Sequence, residues 1–286
     1  MRLTQEQLDQ YQENGHLVFE SYFSPAELEL MLAELPALFA QDSARRILEK
    51  SGAVRTVFAA HTSNEVFGCL IKLARLVEPV RQILGSEVYM HQFKINAKVA
   101  LEGELWEWHQ DFLYWHKEDS MPQPRVLTAV LFIHEVNEFN GPMLIIPGSH
   151  LDGMIDVDIH EKYRMAATDG DALAPDGKPL WVTTLTADLK YKIDRDILTD
   201  LVTRRSIKAI TGPPGTLMFF HGNLFHASAH NLSPWDRLSI FASYNSVENA
   251  PLDMENPRPV FIAERDFTPL EPLPDNSLLE IGVKVG

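Results

Sequence analysis

Residues 126–150 read VLTAVLFIHEVNEFNGPMLIIPGSH. A β-rich apolar run from Val126 to Glu135 leads into the turn Asn140-Gly141-Pro142, the short strand MLIIP and a second turn, Gly148-Ser149-His150. Short strands bounded by such turn residues predict an all-β barrel or two-sheet sandwich. The pattern extends in both directions. Residues 87–99 (EVYMHQFKINAKV) partly alternate, as a half-buried strand does, while 216–220 (TLMFF), after the breaker GPPG, and 237–245 (RLSIFASYN) read as further strands.

The first quarter of the chain reads differently. Thr4 and Gln7 form a capping box, with Leu8 and Tyr11 following at helical spacing. Ser24, Pro25 and Glu27 supply a cap, an N1 proline and an N3 carboxylate for the helix AELELMLAELPALF. Asn64 can cap a third helix to about Leu84, with an interruption expected near Pro79. Residues 151–205 are polar and irregular, with a short helix near Arg195–Thr203, as expected of a lid or binding insertion. The tail from Asn249 carries six prolines and reads as an extended wrap. Without an internal repeat or linker, the chain reads as one catalytic domain over 1–286. It has a mainly helical flank (1–86), a β core (87–248) with the insertion at about 151–205, and a C-terminal wrap (249–286).

Composition narrows the function. A net charge of −15 repels a phosphate backbone, so nucleic acid is a poor partner. No run of eighteen apolar residues suggests a membrane span, and the polar start MRLTQEQLDQYQENG lacks a signal-peptide core. The one cysteine, Cys69, sits in an apolar run and reads as a buried thiol; with no disulfide possible within the chain, a cytoplasmic setting is expected. The oligomeric state is not legible.

The chemistry lies in WEWHQDFLYW, residues 106–115. His109 and Asp111 are two apart, and on a strand such side chains share a face. His226, just beyond TLMFFHGNLF, is the best third ligand. Two histidines and one carboxylate leave three positions open, which suits Fe(II) in oxygenases. Alone, H-x-D is a weak signal. Ser228 follows His226 by two residues and Arg237 by eleven. A guanidinium fork with a hydroxyl beside it can hold the distal carboxylate of 2-oxoglutarate. Taken by itself, Arg237 reads more readily as a surface residue of the turn SPWDR, paired with Asp236.

WHQD, then NGPMLIIPGSH, then HASAHNLSPWDR, in order over about residues 88–245, resemble the phytanoyl-CoA dioxygenase family. The resemblance implies a double-stranded β-helix (jelly-roll, cupin-like) and an Fe(II)- and 2-oxoglutarate-dependent dioxygenase. Such an enzyme uses O2 and releases succinate and CO2, with ascorbate as a supporting reductant. It implies His109, Asp111 and His226 as iron ligands and Ser228 and Arg237 on the distal carboxylate, with Lys98 also contacting 2-oxoglutarate. Gln92 and Trp115 fall near the substrate. Members that halogenate lack the carboxylate that Asp111 supplies, so hydroxylation is expected. HQFKINAK with WHQDFLYWHKEDSMP resembles the ectoine hydroxylases of the family and, more so, its hydroxylases of free L-proline. Ser120 replaces a usual glycine, and the 151–205 insertion matches neither.

The expected substrate is therefore a free small amino acid, L-proline hydroxylated at ring carbon 4 before ectoine. Gln92, Lys94, Asn96 and Lys98 share one face of the 87–99 strand, read as a polar pocket in which Asn96 can bond a substrate or cosubstrate. His91 has the parity of Phe93. Trp115 is a candidate wall for the substrate, and Arg55 a candidate partner for its carboxylate. His116, His134, His150 and His230 read as structural or exposed. Two other readings are a non-enzymatic jelly-roll binding protein and a zinc hydrolase; neither requires Arg237 with Ser228.

Overall fold

The computed structural model describes residues 2–157, 189–191, 193–251 and 257–285. Two antiparallel sheets face each other as a double-stranded β-helix. The larger has seven strands in the order β1-β9-β6-β11-β4-β3-β2 and the smaller four, β5-β10-β7-β8. The larger contains β1 (His16–Phe19), β2 (Arg46–Leu48), β3 (Val54–Phe58), β4 (Val88–Lys98), β6 (Val126–Phe132), β9 (Leu217–His221) and β11 (Arg237–Ser246). The smaller contains β5 (Trp106–His109), β7 (Met143–Ile145), β8 (Lys208–Ile210) and β10 (His226–Ser228).

The helices cover the outer face of the larger sheet. Leu127, Ala129 and Leu131 of β6 join Phe219, Ile240 and Met31, Leu35, Phe67 and Val77 in one core. Val130 and Phe132 point the other way, onto Met143, Ile145 and Met218 between the sheets. Both faces of β6 are therefore buried, which is why its sequence is apolar apart from Thr128, whose hydroxyl is paired with Ser243. Each such buried side chain contributes roughly 1.5–3 kcal/mol. β4 has the same outer face, Phe93 and Ile95, but its inner face is polar because it lines the site.

The N-terminal caps form as expected. Thr4 and Gln7 make a capping box for α1 (Gln5–Asn14), as do Ser24 and Glu27 for α2 (Pro25–Ala40). Asn64 accepts from the Phe67 N–H to open α3 (Glu65–Leu70). The third helix is broken elsewhere than expected. The break falls between α3 and α4 (Ala74–Leu84), and Pro79 lies inside α4. Proline withholds the N–H that would meet the Arg75 carbonyl, but the Tyr22 hydroxyl donates to that carbonyl at 2.7 Å instead. The flank is also less purely helical than its sequence suggests, since β1, β2 and β3 extend the larger sheet at both edges.

The helix near residue 195 is present as α6 (Arg195–Arg205); most of the expected insertion, 158–188, lies outside the described residues. The described part of the tail turns at 260–263, meets β4 at His91 and Val88, and ends in a helix, α7 (Ser277–Val285). Cys69 is buried. Among the described residues no helix is long and apolar enough to cross a membrane.

Candidate active site

The smaller sheet aligns the metal-ligating residues. β10 pairs antiparallel with β5 so that His226 lies opposite His109 and Ser228 opposite Trp106. The two imidazole centroids are 4.2 Å apart. Asp111 is not on that strand: β5 ends at His109, and Asp111 opens α5 (Asp111–Asp119). The expected convergence is real, but strand parity is not its cause. The chain turns from strand to helix at Gln110, whose amide donates to the Gly153 and Asn223 carbonyls at 2.8 and 2.7 Å. This swings Asp111 back toward the imidazoles.

His109 Nε2 lies 3.6 Å from Asp111 Oδ1 and His226 Nε2 3.8 Å from Oδ2. The three ligand atoms are within 4.8 Å of one another, and all three residues are buried. Each histidine binds the carbonyl two residues before it: Nδ1 of His109 on Glu107 at 2.6 Å and Nδ1 of His226 on Leu224 at 2.9 Å. A donating Nδ1–H leaves Nε2 bare, the form a metal requires. Burial, and then His109, lower the His226 pKa to about 3, so this ring is neutral at physiological pH. Burial raises the Asp111 carboxyl, but Lys94 and both histidines outweigh it and hold the group well below the usual range. A preoriented N2O set, two imidazoles and one carboxylate with a buried, unpartnered Asp111 Oδ2, fits Fe(II).

The larger sheet supplies the opposite wall. β11 pairs with β4 so that Arg237 faces Lys98, Ser239 faces Asn96, Phe241 faces Lys94 and Ser243 faces Gln92. One cavity brings together Lys94, Asn96, Lys98, His109, His226, Ser228 and Arg237, with Trp106, Met143 and Phe241 as apolar walls. Arg237 is buried, not the surface partner of Asp236: it donates to the Gly141 carbonyl and to Ser239 Oγ. Gly141 belongs to the Asn140-Gly141-Pro142 turn, with φ of +77°. A Cβ there would lie 2.7 Å from both the Ala229 oxygen and Lys98 Cδ, so only glycine lets this carbonyl reach Arg237.

Ser228 Oγ and Arg237 Nε are both buried without a hydrogen-bond partner. Such groups cost about 1–3 kcal/mol each when left unpaired, and one carboxylate oxygen pair can satisfy both. Lys98 donates to the Glu104 and Ala229 carbonyls. Burial, then repulsion from Arg237, holds its ammonium well below the usual range. Burial also lowers Arg237, to about 10. Thr56 donates to the Asn96 carbonyl oxygen at 2.9 Å, so the amide NH2 is what Asn96 can offer the cavity.

Three sequence candidates lie outside this cavity. Arg55 is already engaged: Nη1 meets both Glu49 carboxylate oxygens at 3.0 Å, Nη2 the Leu105 carbonyl, and the guanidinium stacks 3.8 Å over Trp106. It stands behind the cavity wall, not in it. Gln92 donates to the Ile262 carbonyl at 2.9 Å. Trp115 packs among Phe112, Met121 and Val126. Sequence reading placed Lys94 on the pocket face without giving it a role. Its ammonium lies 5.3 Å from the Phe241 ring centroid, and burial lowers its pKa against the attraction of Asp111. Of the described residues, none forms a hydrogen bond or close ion pair with it. The signal was its i, i+2 spacing with Asn96 and Lys98.

Fold and site together define a mononuclear non-haem iron, 2-oxoglutarate-dependent dioxygenase of the jelly-roll class that acts on a small molecule. The phytanoyl-CoA dioxygenase (PhyH) profile matches residues 11–239, and the chain belongs to that family. It is 34% identical to the ectoine dioxygenase of Bordetella bronchiseptica, over 97% of this chain and 88% of that protein. It is 33% identical to the L-proline trans-4-hydroxylase of Streptomyces griseoviridis, over 92% and 93%. The crystal structure of EctD from S. alaskensis with 2-oxoglutarate and 5-hydroxyectoine superposes with a TM-score of 0.76 at 30% identity, covering 95% of this chain and 88% of that one.

Proposed function

We propose that the substrate is a compact, carboxylate-bearing, amino-acid-like ring compound, ectoine first, hydroxylated at an unactivated C–H bond. This reverses the order expected from sequence, which put free L-proline ahead. The similarity to ectoine dioxygenases and to an EctD structure supports the reversal. L-proline remains the second reading, favoured by the relative of which this chain covers 93%.

Lys94 carries the argument for a carboxylate. Four cations, Arg55, Lys94, Lys98 and Arg237, surround the cavity, against two buried carboxylates, Glu49 and Asp111. Arg55 is matched by Glu49. A bound Fe(II) adds two positive charges and 2-oxoglutarate two negative ones, so the excess of cations persists. Lys94 is the cation left for a substrate, because an ammonium half-buried against apolar walls is stabilised by a neighbouring anion.

His109, Asp111 and His226 would hold the iron at the edge of the cavity. With 2-oxoglutarate and O2, the iron supplies the oxidising power for hydroxylation, and succinate and CO2 are the co-products. The protein supplies position. Ser228 Oγ and Arg237 grip the distal carboxylate, Lys98 adds charge behind them, and the Asn96 amide donates from the side. Trp106, Met143 and Phe241 supply the apolar part of the cavity wall, which strengthens each of these contacts. Gln92 and Trp115 bound the substrate end from beyond the cavity.

The test is a panel of ectoine, L-proline and other free amino acids with Fe(II), 2-oxoglutarate and ascorbate, read by mass for one added oxygen. The expected result is oxygen gain on ectoine with matching succinate. Product only from L-proline would establish the second reading, and product only from a substrate without a carboxylate would overturn both.

A further inference from the structure

A groove of about 1010 Å³ lies on the helix side of the larger sheet, between α3, α7 and the tail segment 264–273. It shares no residue with the active-site cavity. Ile71, Met90, Leu270, Leu273 and Ile281 give it an aliphatic lining, with Ile71 and Met90 buried. Five carboxylates line it as well, Glu65, Glu264, Asp266, Glu271 and Glu280, against one ammonium, Lys72. Five less one leaves four negative charges in excess. Asp266, Glu264 and Glu280 each spend a single oxygen on a local donor, the Thr268 and Arg265 N–H groups and the Asn276 amide. Among the described residues, the basic group nearest to any of the five is His61, whose Nε2 lies 3.9 Å from Glu264 Oε2.

Acidic residues on a chain of net charge −15 ordinarily just face water. His61 is what marks this groove as a site. Its side chain is only 8% exposed. Burial, then Arg45 and Lys72, lower its pKa to about 4, so the ring is neutral. Nδ1 is buried with no hydrogen-bond partner, and Nε2 is too far from Glu264 Oε2 to bond it. Neither nitrogen is paired with a described residue, which is costly for a ring so deeply buried. Nδ1 stays unpaired in either tautomer, so the ring's good contact has to come at Nε2, from the groove. In the Nδ1–H tautomer, Nε2 and Glu264 Oε2 are two bare acceptors 3.9 Å apart, and one ammonium can donate to both.

Among the described residues, His109, Asp111 and His226 are the group of three whose metal-donor atoms gather closely. The groove carboxylates form no such group, so they do not close on one metal ion. Separated charges beside an aliphatic lining suit a chain that alternates ammonium and methylene groups. We propose that this groove binds a linear polyamine, with one ammonium seated between His61 and Glu264, others on carboxylates such as Asp266 and Glu271, and the methylenes along Met90, Leu270 and Ile281. A tetramine neutralises the excess of four negative charges. The inference rests on neither the iron site nor the proposed substrate.

The test is calorimetric titration of the full chain with spermine, putrescine and MgCl2 at about 0.15 M salt, where diffuse surface charge is screened. Spermine should saturate one site, putrescine should bind more weakly, and Mg2+ should give no saturable heat. Hydrogen exchange at 264–271 should slow when spermine is bound. Two double variants remove equal charge, one inside the groove and one outside it. Glu264→Gln/Glu271→Gln should weaken spermine about five-fold or more, as two lost ion pairs require, while Glu102→Gln/Glu138→Gln should stay within about two-fold. His61→Phe can keep the ring contact with Phe93, now 5.1 Å between centroids, without the nitrogens. It should hold or raise the melting temperature and weaken spermine about three-fold or more. Heat that never saturates, equal losses in the two double variants, or Mg2+ binding as tightly as spermine overturns the inference. A folded His61→Phe protein with wild-type affinity overturns it too.

Discussion

The two ends of β4 are built in different ways. At the end proposed for the cosubstrate, Asn96 and Lys98 sit in regular register with Ser239 and Arg237, fixed by the ladder and by a glycine turn. At the other end, the register breaks at His91, and the contacts come from a tail 170 residues distant in sequence. A regular ladder holds donors at fixed spacing, as suits a cosubstrate of one shape. A bulge re-aims side chains and leaves backbone groups for another segment to satisfy. One strand is thus held by its ladder at one end and by a distant segment at the other.

Four substitutions probe this contrast, in order of expected effect. Asp111→Ala should abolish product formation and stoichiometric iron binding while the melting temperature stays close to wild type; an active Asp111→Ala enzyme would contradict the triad. Arg55→Met should act on neither ligand directly. It strands Glu49 in the interior, so denaturant unfolding should show a loss of about 3–5 kcal/mol, and a selective rise in substrate KM with full stability would return Arg55 to the substrate.

Arg237→Ala sharpens the cosubstrate end. Loss of a charged hydrogen bond of about 2–3 kcal/mol should raise the 2-oxoglutarate KM roughly 30- to 150-fold with little change for the substrate. Lys94→Met is the mirror experiment. It should raise the substrate KM by about ten-fold, near 1.4 kcal/mol, and leave the 2-oxoglutarate requirement almost unmoved. If Lys94→Met and Arg237→Ala shift the same KM, the division of β4 into two ends is wrong.

Much of this protein was legible in the sequence because the relevant physics is local. Capping boxes at Thr4 and Ser24 span only four residues, and the Asn140-Gly141-Pro142 turn and the inward spacing of Lys94, Asn96 and Lys98 follow from backbone geometry. His109, Asp111 and His226 were identified too, yet for Asp111 through the wrong geometry, because whether a chain continues as strand or turns into helix after His109 depends on what holds Gln110. Tertiary structure alone decided the rest. The short strands β1 to β3 gain their identity from distant partners, and Arg55 from Glu49 and Trp106. The freedom of Lys94 emerges only after every neighbouring charge has been matched. The tail's contact with β4 depends on a bulge that no periodicity announces, and that bulge takes His91 out of the parity it was expected to share with Phe93. Periodicity reports which face a residue prefers; only long-range pairing in a desolvated interior decides which charges meet and which one is left for a ligand.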